Sequence, residues 1–532
     1  MSSRARSTPT LVLLVLLISA VAGWSASRLA ERRRGPLESA RALARAGHLL
    51  DAEHAYVELA RQRPFSLPLL IELLDNHRHI VTVAALPILS AGPPGSPRTL
   101  EPLLFEEATI DDLLSSPDLS HDEALLGRYW RAAIRSDVTR DDRDAVTRRA
   151  DADPPAPWSN HLLAREAQEL DDDAGAGERF AREAASFDDR SDDAAAACRI
   201  WLEAGNWSRL SSALAQPRFA KQVPTAIRLD EALRRHDWAG VARWFVPAQW
   251  DGASSGVVGL VAVSGLVWFA MCAGIGRLTE RWRVRAPLYA VSMGLGVAST
   301  FVALAIDLVE ESTLGLAEKH MPLADAIYFV VGVGLREELA KALLLLPVAW
   351  LVSRIGTRRE AFACGALVGL GFAAEENLSY FHMGLSTALA RFLTANVLHV
   401  STTALVALAL DDHLRGREDR PGNLSRTLML VILIHGMYDF FLSSSSVDRG
   451  SFLSMFTFVL LTRRFVDGIR SLGGNEGPLV QRFCVGLAIV AGASFIYAAV
   501  RVGPEQAAMA ILQGALGLAI VIYVLVQQLR TA

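Results

Sequence analysis

The chain has 532 residues, 51% of them hydrophobic and 21% charged, with a mean hydropathy of +0.27, which excludes a disordered, collagen-like or ordinary cytosolic protein and assigns much of the sequence to a bilayer. A net charge of −4, with basic residues split among short loops, leaves no footprint for nucleic acid. Cys198, Cys272, Cys364 and Cys484 have no CxxC spacing and three of them lie in apolar runs, so neither a zinc ribbon nor a disulfide framework can be built.

Residues 8 to 26 form one apolar run behind Arg4 and Arg6, long enough at about 1.5 Å per residue to cross most of a bilayer core. Residues 1–26 read as an anchor or a signal peptide, and Ala20 and Ala22 would suit cleavage. Residues 27–250 are polar, rich in Arg, Asp and Ala, and contain no spanning run, so they predict a water-soluble helical domain. The stretch from Glu38 to Pro64 resembles a tetratricopeptide repeat, with Gly47, Ala52, Tyr56, Ala60 and Pro64 near that family's small, aromatic and terminating positions. Weaker echoes at 205 (GNWSRLSSAL) and 236 (HDWAGVARWF) suggest further hairpins; the competing reading is a set of unrelated amphipathic helices. Asp171 to Asp173 lack the ligand spacing of a calcium loop and read as solvated surface.

Residues 251–532 alternate apolar runs with short Arg-bearing loops. Spans are predicted near 253–275, 286–309, 322–352, 361–382, 387–410, 427–445, 451–466, 483–502 and 506–528, the 451–466 run being the weakest. The fold class expected is therefore all-α: a polytopic membrane bundle of about 8–9 spans with an N-terminal anchor and a soluble helical-repeat-like domain. Arginines concentrate in alternate loops, at 277–285, 354–359, 415–426 and 463–482. The positive-inside rule makes those loops cytoplasmic and places residues 27–250 outside, in a bacterial cytoplasmic membrane. Arg28, Arg32, Arg33 and Arg34 pull the other way, but four consistent loops outweigh one flank.

A charge at bilayer depth costs at least ~2.5 kcal/mol, so each needs a reason. Within 322–445, one span carries Glu337, Glu338 and Lys341; the next carries Glu375, Glu376, Asn377 and Tyr380; the following two carry His399, then His435 and Asp439. Counted from the Arg-rich loops, Glu338, Glu376, His399 and His435 fall in one slab, roughly 12 to 22 Å deep at helical rise. Residues three or four apart share a helix face, so Lys341 can neighbour either glutamate, Asp439 can fix the tautomer of His435, and Tyr380 can shield or hydrogen-bond Glu376. Of 53 basic residues only Lys221, Lys319 and Lys341 are lysines, so Lys341 marks a place that needs an ammonium, not a guanidinium. Buried Glu–Lys and His–Asp pairs also hold helices together without chemistry, but four adjacent spans bearing Glu, Glu, His and His at one depth favour a site. Arg336, Arg391, Asp307, Asp325 and Glu375 are expected to pair locally, snorkel or face away.

The sequences EELAK, GFAAEEN with Tyr380, an isolated intramembrane histidine and HGMYD, in successive spans, resemble the PrsW family of intramembrane glutamic proteases, related to CAAX prenyl endopeptidases and bacteriocin-processing membrane proteases. The resemblance covers roughly residues 250–460 and implies hydrolysis of a membrane protein, such as a single-pass anti-sigma factor cut on its extracytoplasmic side. Carried over, it places the catalytic set on Glu337, Glu338, Glu376, His399 and His435, with Lys341, Asn377, Tyr380 and Asp439 in support. The large soluble half departs from the compact family pattern and is expected to bind a protein partner.

The chemistry stands without the name, because peptide hydrolysis without a Ser or Cys nucleophile needs an activated water, a base, an oxyanion donor and an acid. Two adjacent carboxylates at low dielectric do not both ionise cheaply, so one of Glu337 and Glu338 serves as base while its neighbour keeps a proton. No cofactor is expected. The alternatives are a zinc enzyme using His399, His435 and a glutamate, although no HExxH is present, and a proton- or ion-coupled transporter, although no internal repeat matches the Glu-bearing spans.

Overall fold

The first apolar run folds as one helix, α1 (Ser3–Arg33), in a computed structural model that describes every residue except 1–2, 34, 46–48, 63–65, 91–111, 118, 136, 252, 311–315, 382–383, 385–386, 418–421, 445, 447–450, 474–478 and 531–532. Two units separate by their contacts, one made of Met1–Arg28 with Gly252–Ala532 and the other of Leu29–Asp251.

The second unit is a run of short helices: α2 (Pro36–Arg45), α3 (Leu49–Gln62), α4 (Leu67–Ser90), α5 (His121–Arg135), α6 (Arg140–Ala150), α7 (Ser159–Glu169), α8 (Asp173–Ser186), α9 (Ser191–Glu203), α10 (Trp207–Leu214), α11 (Pro217–Gln222), α12 (Thr225–Arg234) and α13 (Trp238–Gln249). Neighbours in sequence pack on one another, as with α2 on α3, α8 on α9 and α12 on α13. One apolar core gathers Tyr56, Leu70, Trp130 and Leu162, and another gathers Phe180, Cys198, Trp201 and Phe219. Ala52, Tyr56 and Ala60 are buried, whereas Gly47 and Pro64 lie outside the described residues. One turn recurs three times. A residue in the left-handed region (Asp171, Gly205, His236) precedes an Asx side chain (Asp172, Asn206, Asp237) that accepts from the backbone N–H three residues on and starts the next helix. The Asp171–Asp173 cluster is thus a helix start, and the two tryptophan echoes at 207 and 238 mark the same turn.

The first unit is a helix bundle: α1, α14 (Ser255–Ile275), α15 (Trp282–Val309), α16 (Pro322–Ile327), a π-helical segment (Tyr328–Gly334), α17 (Leu335–Ile355), α18 (Arg358–Tyr380), α19 (Thr387–Leu393), α20 (Ala395–Leu414), α21 (Asn423–Ser443), α22 (Ser454–Ser471), α23 (Leu479–Val502), α24 (Pro504–Gly517) and α25 (Ala519–Leu529). Among the described residues, six stretches are long and apolar enough to cross a membrane, namely Pro9–Leu29, Ser255–Ile275, Trp282–Val309, Thr387–Leu414, Asn423–Ser443 and Leu479–Val502; α24 and α25, bent by 58°, make a seventh if counted together. This is fewer than the eight or nine expected from sequence. The predicted spans at 322–352 and 361–382 fold as helices, but Glu337, Glu338 and Lys341 in one and Glu360, Glu375 and Glu376 in the other interrupt their apolar character. Helix α18 needs no lipid-compatible surface, because protein covers almost its whole length from Glu360 to Glu375. The 451–466 run becomes α22, which carries Arg463, Arg464, Asp467 and Arg470.

Close packing fixes how the helices run. Ser19 of α1 abuts Gly492 of α23, and Gly23 abuts Phe495 and Ile496, so α1 and α23 are parallel, with small residues admitting the approach. Helix α14 is antiparallel to α23, since Gly256 meets Tyr497 and Gly486 meets Val267. The C-terminal end of α1 and the N-terminal end of α14 therefore lie at one end of the bundle. The opposite end holds the arginines. Arg285 pairs with Glu360 at 2.6 Å, Arg358 with Asp412 at 2.8 Å, and Arg415 donates to the carbonyls of Val352 and Gly356.

Candidate active site

The backbone brings the ionisable residues together through glycines. A Cβ on Gly334 would sit 2.7 Å from the carbonyl oxygen of Ile432, and one on Gly436 would sit 2.5 Å from both the carbonyl oxygen of Phe329 and Cα of Val330. The π-helical segment and α21 are thus in backbone contact. The segment's wider turn ends directly before Leu335 and sets the facing of Glu337 and Glu338, as π turns often do beside sites. Gly365 and Gly369 play the same part between α18 and α20, lying against Thr403, Ala404 and the backbone of His399. These contacts place Glu376, near the end of α18, beside His399, near the start of α20.

Glu338 is buried, and its Oε1 accepts from Lys341 Nζ at 2.7 Å, His435 Nδ1 at 2.7 Å and Thr402 Oγ1 at 3.2 Å. Lys341 is wholly buried; it also reaches His399 Nδ1 at 3.0 Å and stands 4.3 Å from the ring centre of Phe372. His399 Nε2 lies 3.0 Å from Glu376 Oε2, which accepts from Arg391 at 2.7 Å. His435 Nε2 lies 3.2 Å from Asp439 and 3.6 Å from Glu337 Oε2, and the two histidine rings meet edge to face at 5.1 Å. A buried carboxylate needs a paired cation or donors, and the cluster supplies Lys341 to Glu338 and Arg391 to Glu376. Glu337 differs in having no cation within hydrogen-bond distance: its Oε2, like Glu338 Oε2, is buried without a hydrogen bond, and Lys341 Nζ and His435 Nε2 stand 3.8 Å and 3.6 Å from it.

Glu337, Glu338, Glu376, His399, His435, Lys341 and Asp439 thus meet in one cluster, with Asn377 joined to it through Arg391, whose Nε donates to Asn377 Oδ1 at 2.6 Å. The Tyr380 ring lies under the Arg391 guanidinium, 4.0 Å from it, and so neighbours Glu376 across that cation. Arg336 pairs locally, with Asp307 and with Glu310 at 3.2 Å. Asp325 accepts from the Lys319 N–H at 2.8 Å and from Ser444 at 3.1 Å. Sequence reasoning missed Thr402 and the reach of Arg391. Thr402 falls three residues after His399 on the same face, a usable signal; Arg391 offered only its charge inside an apolar run. The cluster lies toward the end of the bundle that holds the start of α14, since Val257 and Leu260 of α14 pack with Ala374, Phe381 and Ala388.

Glu337, His399 and His435 present ligand atoms within 4.8 Å of one another, and two histidines with a glutamate are a donor set used by catalytic zinc. The hydrogen bonds oppose that use of His399. An ammonium has donors and no acceptor, so Lys341 donates to His399 Nδ1; Nε2 then carries the ring proton and donates to Glu376, leaving no lone pair for a metal. In this arrangement the residue types fit a metal and the tautomer of His399 does not.

Comparison with curated proteins and with solved structures returns no match. Residues 284–463, about a third of the chain, match the family model described as PrsW family intramembrane metalloprotease, a stretch that contains Glu337, Glu338, Glu376, His399 and His435. With its membrane-length apolar helices, the chain is a multi-pass membrane protein whose matched segment is a membrane-embedded peptidase.

Proposed function

We propose that residues 251–532 form an intramembrane endopeptidase of the glutamic type, with Glu337 as the base that takes a proton from water. The observation that carries this reading is the unpartnered, buried Oε2 of Glu337, facing Lys341 Nζ and His435 Nε2 at 3.8 and 3.6 Å. Those separations are too long for direct hydrogen bonds and suit a bridging water. Glu338 accepts its bonds through Oε1 and acts as the group that holds Lys341 and His435 in place. His435, oriented by Glu338 and Asp439, donates to the developing oxyanion or the leaving amine. His399, held between Lys341 and Glu376, fixes the far wall. A metal-dependent reading is favoured by the convergence of Glu337, His399 and His435 and by the description of the matching family model as a metalloprotease; such an ion would polarise the scissile carbonyl or its water.

The substrate is a single-pass membrane protein, an anti-sigma factor being the type the family resemblance suggests, cut on the extracytoplasmic side. Loop arginines support a cytoplasmic arginine end in a bacterial inner membrane, which puts residues 29–251 outside. The Asx turns at 172, 206 and 237 recur at about the 34-residue period of tetratricopeptide hairpins and support a repeat domain that binds a protein partner. Quantitative membrane proteomics comparing cells that express the wild-type chain with cells that express Glu337→Gln tests the activity. A truncated single-pass protein found only with the wild type is expected; identical proteomes would refute the reading.

A further inference from the structure

Three polar side chains beyond the acid–histidine cluster are each 1% exposed and come from three different helices: Ser264 of α14, Asn396 of α20 and Asn377 of α18. Their bonds have a direction. Arg391 can only donate, so Asn377 turns its carbonyl to Arg391 Nε, at 2.6 Å. The amide nitrogen of Asn377 then donates to Asn396 Oδ1 at 2.9 Å, and that of Asn396 donates to Ser264 Oγ at 2.9 Å. The other branch of the Arg391 guanidinium holds Glu376, which holds His399. One turn along α14, the Trp268 indole donates to the carbonyl of Phe392 at 3.1 Å, so the helix grips the Arg391 segment twice.

We propose that Ser264 is a positioning residue of the peptidase: by terminating this amide chain it sets the placement of Arg391, and through it the Glu376–His399 pair. The proposal rests on the peptidase reading and extends the site to a helix outside residues 284–463. Helix α14 begins at Ser255, just after the Leu29–Asp251 unit ends, so it is the covalent route from that unit to Glu376. Deleting the Ser264 hydroxyl leaves a buried Asn396 amide hydrogen without its acceptor, and the amides relax toward other partners.

The test uses the full chain in liposomes, cleaving the single-pass protein that the proteomic comparison yields. Ser264→Ala should lower kcat roughly fivefold to tenfold, the scale of one lost buried hydrogen bond, with KM unchanged, and Ser264→Thr, which keeps the acceptor, should retain most of kcat. In an Asn396→Ala background Ser264→Ala should have no further effect, whereas Ser292→Ala, whose hydroxyl meets the Leu288 carbonyl and Cys364 and not the amide chain, should behave as wild type throughout. Unchanged kcat in Ser264→Ala, or a loss of equal size in both backgrounds, overturns the proposal. Glu337→Gln runs alongside: if it cleaves like the wild type, the peptidase reading has failed, independently of Ser264.

Discussion

Replacing Lys341 by Met removes the ammonium bonded to Glu338. In the wild type the ammonium lies 2.7 Å from Glu338, 3.0 Å from His399 and 4.3 Å from the Phe372 ring, with no exposure. Met fills similar volume, so the cost is electrostatic: breaking a buried pair from one side leaves an uncompensated carboxylate, worth about 3–5 kcal/mol. Removing Glu338 as well, in Lys341→Met with Glu338→Gln, leaves no orphan charge and should recover a large part of that loss, a coupling of roughly 2–3 kcal/mol. Unfolding of the purified chain in mixed micelles, titrated with a denaturing detergent and followed by tryptophan fluorescence, reads both variants. Unfolding of Lys341→Met within about 1 kcal/mol of the wild type, well under the range for a broken buried pair, or a double variant less stable than the single one, would contradict the pairing.

Glu337→Gln should lower cleavage by about 10² to 10⁴, the scale of a lost general base, while leaving stability nearly unchanged because its Oε2 makes no hydrogen bond; Glu338→Gln should lose both, and parallel melting and cleavage assays separate the two. Gly436→Ala places a methyl 2.5 Å from backbone atoms of Phe329 and Val330 and should abolish activity and lower yield, whereas Gly259→Ala, with nothing within 4 Å, should be neutral in both. In the Leu29–Asp251 unit, burial raises the Glu183 carboxyl above its ordinary range, against the Trp158 N–H and Arg190. Its folded form therefore binds a proton more tightly than the unfolded form, so its contribution to stability is full at acid pH and is lost as pH rises through the raised value; hydrogen exchange across residues 176–190, corrected for intrinsic rates, should show protection falling with pH and a flatter profile in Glu183→Gln.

What could be read ahead of the fold was whatever depends on spacing within one helix. Lys341 beside Glu338, and Asp439 beside His435, follow from three- and four-residue steps. Apolar length located six or seven of the membrane-length helices, and the glutamate-bearing helices α17 and α18 fall outside that count because their charges interrupt the apolar run. The π-helical turn before Leu335 has no local signature, and with it the assignment of Glu337 and Glu338 to different surroundings was out of reach. Contacts that join distant parts of the chain, such as Ser264 to Asn396 across 132 residues or Thr402 to Glu338 across 64, depend on how helices pack, which no periodicity reports. In the Leu29–Asp251 unit the tryptophan echoes were visible, while their cause, a left-handed residue followed by an Asx cap, became legible only from the backbone angles.

Cleavage by the purified chain in liposomes, measured before and after exhaustive chelation with metal content assayed in parallel, tests water activation by Glu337 most directly. The account predicts that cleavage persists when zinc falls far below one ion per chain and that Glu337→Gln is inactive under both conditions. Cleavage that disappears on chelation and returns with added zinc would contradict it, and would require His399 to give up its bond to Lys341.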